Sequence, residues 1–304
     1  RWLKKQVYQR AKQAGKKSRL DRKTGSEKAV FFIAFTLLAL YCLSLIYPFF
    51  WMFLNSLKGS LEYSGGNTFA LPEKWLFSNY SQAFTMLKLD DGTTFFDMIF
   101  NSVWYTILGA GLGVFASSIT GYCLSKYKFK GRNLIYSIAI FAMTIPIVGT
   151  AAASFKFTRE IGIYDTPLYV VATSFSGWGF NFLVLYGSFK NLSWDYAEAV
   201  FIDGGSHFVA FFKVMLPMVT GPLATLFIIA AIGRWNDYMT VIMYLPSYHT
   251  IASGLYVFKS LAIRGVNYPV YYAGLMLSMI PIIVLFVFCA DIMLANLSTG
   301  GLKG

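Results

Sequence analysis

Apolar residues run along this chain in long blocks, not in the short alternations of a half-buried strand. Six of these blocks approach the roughly 20 residues a helix needs to cross about 30 Å of hydrocarbon. They fall at about Ala29 to Leu54, Met98 to Leu124, Leu134 to Lys156, Thr166 to Phe189, Pro217 to Tyr244 and Val270 to Ala295. The pattern predicts an all-α integral membrane protein with six transmembrane helices. Polar stretches divide it into a leader over residues 1–28, a six-span body over 29–295 and a short tail over 296–304. Within the body, polar loops occupy 55–97 and 193–217. The first block lacks a small-residue cleavage site after it and is too long for a signal-peptide core, so it is expected to be a retained span.

Composition supports a bilayer setting. The mean hydropathy is +0.54, and 56% apolar against 13% charged residues leaves about half the charge of an ordinary soluble domain. The formal charge of +12 would suit a nucleic-acid surface, but its distribution argues otherwise. Eleven Lys and Arg lie between Arg1 and Lys28, and Lys126, Lys128, Lys130 and Arg132 crowd the loop between the second and third blocks. The loop 55–97 holds three Lys and five acidic residues. This asymmetry follows the positive-inside rule and places both termini, the second-to-third loop and the 193–217 loop in the cytoplasm. A basic leader beside anionic membrane lipid accounts for the charge, and no nucleic-acid recognition motif accompanies it.

The polar residues inside the blocks are few and costly. Trp178, Asn181, Tyr186 and Ser188 lie in the fourth block, and Arg234, Trp235, Asn236, Asp237 and Tyr238 in the fifth. An ionisable group at membrane depth pairs or faces water. Arg234 and Asp237 share a helical face and could neutralise each other. Alternatively Trp178, Asn181, Arg234, Trp235, Asn236 and Tyr238 contribute to a translocation cavity in which a hydroxyl-rich solute meets hydrogen-bonding groups and aromatic faces. Gly109, Gly111, Gly113, Ser117, Ser118 and Gly121 form a small-residue face for close helix approach. Pro146 and Pro281 interrupt apolar helices, either at a pathway or as tolerated bends.

No catalytic constellation is evident. Cys42, Cys123 and Cys289 lie in apolar blocks with no disulfide framework. His207 and His249 fall in separate loops without metal-ligand spacing, and Asp90-Asp91 beside Gly92 reads as a solvated turn. No Gly-x-x-x-x-Gly-Lys-Ser/Thr string is present, so any ATP must be hydrolysed by another polypeptide. No catalytic residue, metal or resident cofactor is expected.

The most informative stretch is Glu198-Ala199-Val200-Phe201-Ile202-Asp203-Gly204-Gly205, continuing to Leu216-Pro217. Its spacing resembles the EAA loop of permease subunits in bacterial ATP-binding cassette importers, with Val200 in place of a small residue. Asn55-Ser56-Leu57-Lys58, Leu71-Pro72 with Asn79-Tyr80, Trp235-Asn236-Asp237 and the terminal Gly300-Gly301-Leu302-Lys303-Gly304 resemble the carbohydrate branch, of the smaller maltose-transporter permease kind. The resemblance implies a type I importer permease fold in a bacterial cytoplasmic membrane. It also implies a second homologous permease, a dimer of ATPase subunits binding ATP and Mg, and an extracellular solute-binding lipoprotein as partners. By the same resemblance Glu198, Ala199, Asp203 and Gly204 dock on the ATPase, and Leu216 and Pro217 turn the chain back into the membrane. Gly300, Gly301 and Lys303 then reach the ATPase from the tail. The implied activity is import of a sugar or oligosaccharide by alternating access. A non-sugar solute such as a polyamine, amino acid or phosphonate is compatible with the same loop. An ATP-independent secondary transporter would need acidic clusters or inverted repeats that are not apparent.

Overall fold

The computed structural model describes residues 25–145, 149–261 and 266–299. Residues 1–24 of the basic leader, Pro146 and the terminal Gly300, Gly301 and Lys303 therefore lie outside the described residues. Every regular element within them is helical. Four helices are long and apolar enough to span a membrane. These are α1 (Gly25–Ser56), α4 (Phe95–Lys126), α10 (His207–Trp235) and α13 (Tyr268–Thr299). Between them lie α2 (Ser60–Ser64), α3 (Ser78–Met86), α5 (Arg132–Thr144), α6 (Ala151–Glu160), α7 (Pro167–Ser174), α8 (Phe180–Lys190), α9 (Asp195–Ile202), α11 (Met239–Tyr244) and α12 (Ile251–Leu261).

The third and fourth apolar blocks are thus each divided into two shorter helices, α5 with α6 and α7 with α8. In the fourth, the chain leaves the helix at Phe175 and resumes at Phe180, where Gly177 and Gly179 both adopt positive φ. The fifth block also differs from expectation. Pro217 does not restart a helix: α10 begins ten residues earlier and runs through it. A π-turn over Ala210–Met215 and a 3-10 turn over Pro217–Val219 absorb the proline. Proline lacks an N–H and clashes with the carbonyl four residues back, and a widened turn, in which the Leu216 N–H reaches the Phe211 carbonyl at 2.8 Å, gives it room.

Helix α4 is the organising element. It packs along α8 and α10, and also meets α7 and α12. Against α8 the approach is close: a Cβ on Gly121 would come within 3.0 Å of the Tyr186 backbone nitrogen, so only glycine allows this spacing. Tyr122, Leu185, Phe189, Phe211 and Met215 fill the space beside it. By contrast, α1 is apolar from Ala29 to Leu54 and most of its outward surface is not covered by this chain. Its main helical neighbour is α13.

The loop 55–97 is an ordered cap. Asn55, Ser56, Leu57 and Lys58 are all fully buried. Asn79 Nδ2 donates to the Ser56 carbonyl at 2.8 Å and the Lys58 carbonyl at 2.9 Å, while Ser56 Oγ meets the Tyr80 hydroxyl at 2.9 Å. Lys58 Nζ donates to the Asn67 carbonyl at 2.8 Å. Residues 55–58 and the Asn79-Tyr80 pair are therefore two halves of one hydrogen-bonded staple. It meets the backbone demand left where α1 ends.

Candidate functional site

Two sites occur at opposite ends of α4. The first is a polar cavity of about 360 Å³ beside the α7–α8 break. One wall is the small-residue face of α4, from Gly109 to Ser117; the others include Ser174, Trp178, Asn181, Arg234 and Asp237. Arg234 and Asp237 do not form the direct ion pair considered from sequence. Tyr105 stands between them: Arg234 Nη1 donates to the Tyr105 hydroxyl at 3.1 Å, and that hydroxyl donates to Asp237 Oδ2 at 3.0 Å. Arg234 Nη2 donates to Ser174 Oγ at 3.0 Å. The second Asp237 oxygen accepts the Thr240 backbone N–H at 3.1 Å. The relay keeps each ionised group hydrogen-bonded while leaving guanidinium N–H groups for the cavity. Gly109 makes it possible, because a Cβ there would lie 3.1 Å from Arg234 Nε.

Of the six cavity residues proposed from sequence, Trp178, Asn181 and Arg234 line this space. The other three face elsewhere. Trp235 is buried, with Nε1 donating to the Ser278 carbonyl at 3.0 Å. Asn236 donates to the Ile232 carbonyl at 2.8 Å in the last turn of α10, and Tyr238 stacks on Tyr256 with centroids 4.8 Å apart. Register turns Trp235 away from Arg234 on α10, and the helix ends there, so Asn236 and Tyr238 lie in the connection to α11. Tyr105, Gly109 and Ser174 were not singled out as cavity or relay groups, although Tyr105, Gly109, Gly113 and Ser117 recur at four-residue steps along α4 and so share a face.

The second site is the loop around α9. Asp203 closes the helix, Gly204 follows at φ +77, and two hydrogen bonds seal the end: Gly204 N–H to the Phe201 carbonyl at 3.0 Å and Gly205 N–H to the Val200 carbonyl at 2.8 Å. This is a Schellman ending, and its left-handed position favours glycine. Val200 Cγ1 lies over Gly205. The extra bulk at position 200 therefore packs against the loop's own glycine. Ser206 Oγ then accepts the Val209 N–H at 3.4 Å to start α10. Ala197 is fully buried as the anchor of α9, whereas Glu198, Ala199 and Asp203 are exposed and Ile202 is 85% exposed. Leu216 and Pro217 lie two turns into α10, away from this protruding tip.

Sequence reading missed what holds the loop. Tyr127, just past the end of α4, Trp194, Phe201 and His207 form a closed ring of edge-to-face and tilted contacts, with successive centroids 5.6, 6.0, 4.7 and 5.5 Å apart. The Tyr127 hydroxyl meets His207 Nδ1 at 2.9 Å, and Lys126 Nζ donates to the Leu192 carbonyl. Four aromatic residues from three separate stretches thus join the end of α4 to both flanks of α9. The only sequence signal was their common position at the edges of polar loops.

With this geometry in place, comparison with known proteins is decisive for the family. The profile of the binding-protein-dependent transport system inner membrane components matches residues 109–300, well over half of the chain and all of the two sites but Tyr105. The chain belongs to this family. Among its relatives, the diacetylchitobiose uptake system permease protein NgcG of Streptomyces coelicolor is 28% identical over 260 residues, 84% of this chain and 83% of that one. The arabinooligosaccharides transport system permease protein AraQ of Bacillus subtilis is 29% identical over 281 residues, 91% of this chain and 97% of that one. A chain in the crystal structure of a bacterial ABC transporter importing alginate shares the fold, with a TM-score of 0.74 at 23% identity over 88% of this chain and 98% of that chain. The inner membrane component is thus an all-helical membrane protein.

Proposed function

We propose that this chain is one of two permease subunits of an ATP-driven importer that moves a sugar or oligosaccharide across a bacterial cell membrane. It crosses six times, the third and fourth crossings being the divided pairs α5–α6 and α7–α8, with both termini in the cytoplasm. A separate ATPase dimer binds ATP and Mg, and an extracellular binding protein delivers the solute.

The observation that carries the reading is the form of α9. A short helix is pinned from behind by Ala197 and the aromatic ring, yet it offers Glu198, Ala199 and Ile202 outward, on a chain with no phosphate-binding loop of its own. Such a knob receives force and performs no chemistry. When two ATPase subunits close, α9 moves with them and carries the end of α4 through Tyr127. About 30 Å along the same helix, Tyr105 and Gly109 move against Arg234 and reshape the cavity. The saccharide assignment follows the oligosaccharide relatives and suits a cavity of hydroxyls, an amide, a guanidinium and a tryptophan face, all groups that pair with sugar hydroxyls or stack on sugar rings.

Reconstitution with the cognate partner permease, ATPase and binding protein tests this. Saccharide-loaded binding protein should stimulate ATP hydrolysis, while polyamines or amino acids should not. Stimulation by an amine alone would overturn the sugar assignment. Solute movement without the ATPase would overturn the coupling assignment.

A further inference from the structure

Helix α5 carries two recesses that neither the cavity nor α9 uses. The first, about 400 Å³, lies at the head of the helix among Lys128, Arg132 and Asn133. The second, about 590 Å³, runs along Ile135, Ile138, Ala139 and Ala142 and ends against Trp178. Within α5, positions 132, 135, 139 and 142 follow three- and four-residue steps and share one face, while Lys128, in the loop ahead of the helix, lines the same basic recess as Arg132. Its basic end is uncompensated. No Asp or Glu occurs between Asp97 and Glu160 in sequence, and among the described residues the ion pair is Lys156 with Glu160, elsewhere. Lys130 is exposed beside the same recess and adds to the charge. The apolar lining, from Ile135 on to Ile145 just past the end of the helix, extends about 15 Å, close to half of the ~30 Å hydrocarbon core.

A cationic head joined to an apolar groove one leaflet long has the shape and charge of one ligand class. We propose that this face of α5 binds an anionic phospholipid, with the phosphate between Lys128 and Arg132 and an acyl chain in the groove against Trp178. The site goes beyond the importer reading and requires only that the chain sits in a bilayer. It would place a lipid chain on the far side of the same indole that lines the polar cavity.

Trp178 supplies the reporter. The full chain, alone and assembled with its partner permease and ATPase, is placed in vesicles of equal parts phosphatidylcholine and phosphatidylglycerol, with bromine on the acyl chains of one lipid or the other. The fluorescence difference between wild type and Trp178→Phe isolates this indole. Brominated phosphatidylglycerol should quench it more strongly than brominated phosphatidylcholine. In Lys128→Gln and Arg132→Gln the preference should fall roughly fivefold per charge removed. Both replacements lie at or near the surface, and retained helicity with a normal thermal midpoint checks folding. Equal quenching by the two lipids would overturn the proposal, as would a preference unchanged in the double variant. Loss of quenching by either lipid on assembly would assign the groove to a protein neighbour and overturn it as well.

Discussion

The two ends of α4 are fastened by opposite chemistry. At one end Tyr105 bridges an arginine and an aspartate, directional bonds in a half-buried setting. At the other, Tyr127 sits in a ring of aromatic contacts with one hydrogen bond to His207. A charged relay has few satisfactory arrangements and switches between discrete ones; stacked rings tolerate tilt and slide while staying in contact. The proposed task of each end fits this difference. A cavity needs defined states, whereas a joint to a moving partner needs continuous grip.

The largest effect is expected from removing one charge of the relay. Asp237→Ala leaves Arg234 without its counter-charge and should destabilise the protein by about 2–3 kcal/mol, read as a lowered thermal midpoint in detergent. Arg234→Met with Asp237→Leu together should recover much of that stability, because neither charge is then orphaned. An Asp237→Ala protein as stable as wild type would show that the relay does not fasten this end.

At the joint the expected loss is functional. Gly204→Val forces a β-branched residue into the left-handed region, and Glu198→Ala removes the outward carboxylate. Either should reduce transport and solute-stimulated ATP hydrolysis about tenfold or more, equivalent to ~1.4 kcal/mol of lost coupling, while membrane insertion persists in both and thermal stability in Glu198→Ala. Normal transport by both would remove α9 from the coupling role. A smaller effect follows from Tyr127→Phe. The rings keep their contacts and the hydroxyl's bonds to His207 and, at 3.5 Å, to the Tyr122 hydroxyl go, so stability should fall by about 1 kcal/mol, with coupling only weakly altered.

The sequence disclosed the two ends unequally. Long apolar blocks and the Glu198-to-Gly204 spacing are local patterns, so the membrane class and the glycine turn that ends α9 were legible. The cavity was legible only in part. Trp178, Asn181 and Arg234 line it, but register turned Trp235 elsewhere, Asn236 and Tyr238 fell past the end of α10, and an apolar block does not announce where its helix will break. The buried Asn55-to-Lys58 staple, the Tyr105 relay and the aromatic ring each join residues more than 20 positions apart, up to 132 in the relay. No periodicity within a single helix encodes such partners. The small-residue face of α4 illustrates the limit: it was readable as close approach, and Gly121 does meet α8 that way, but Gly109 on the same helix instead makes room for a guanidinium.

The smallest predicted effect concerns acid, and it returns to the relay end of α4. Asn101 Nδ2 donates to the His249 carbonyl at 3.1 Å, and the Ile251 N–H donates to Ser102 Oγ at 2.8 Å, so the loop that carries His249 is tied to the start of this helix. Burial lowers the His249 pKa below its ordinary value near 6.5, with Asp91 and Asp165 opposing the shift. The folded protein therefore favours the neutral imidazole more than the unfolded chain does. Its contribution to stability is complete above about pH 6.5 and is lost as pH falls through the lower folded value, since the unfolded state then binds more protons. Thermal midpoints taken between about pH 7.5 and about pH 5.5 should decline in the wild type and decline less in His249→Gln. An identical decline in both would mean that the acid response arises elsewhere. A decline confined to the wild type would locate it at the end of α4 that charge, not stacking, holds in place.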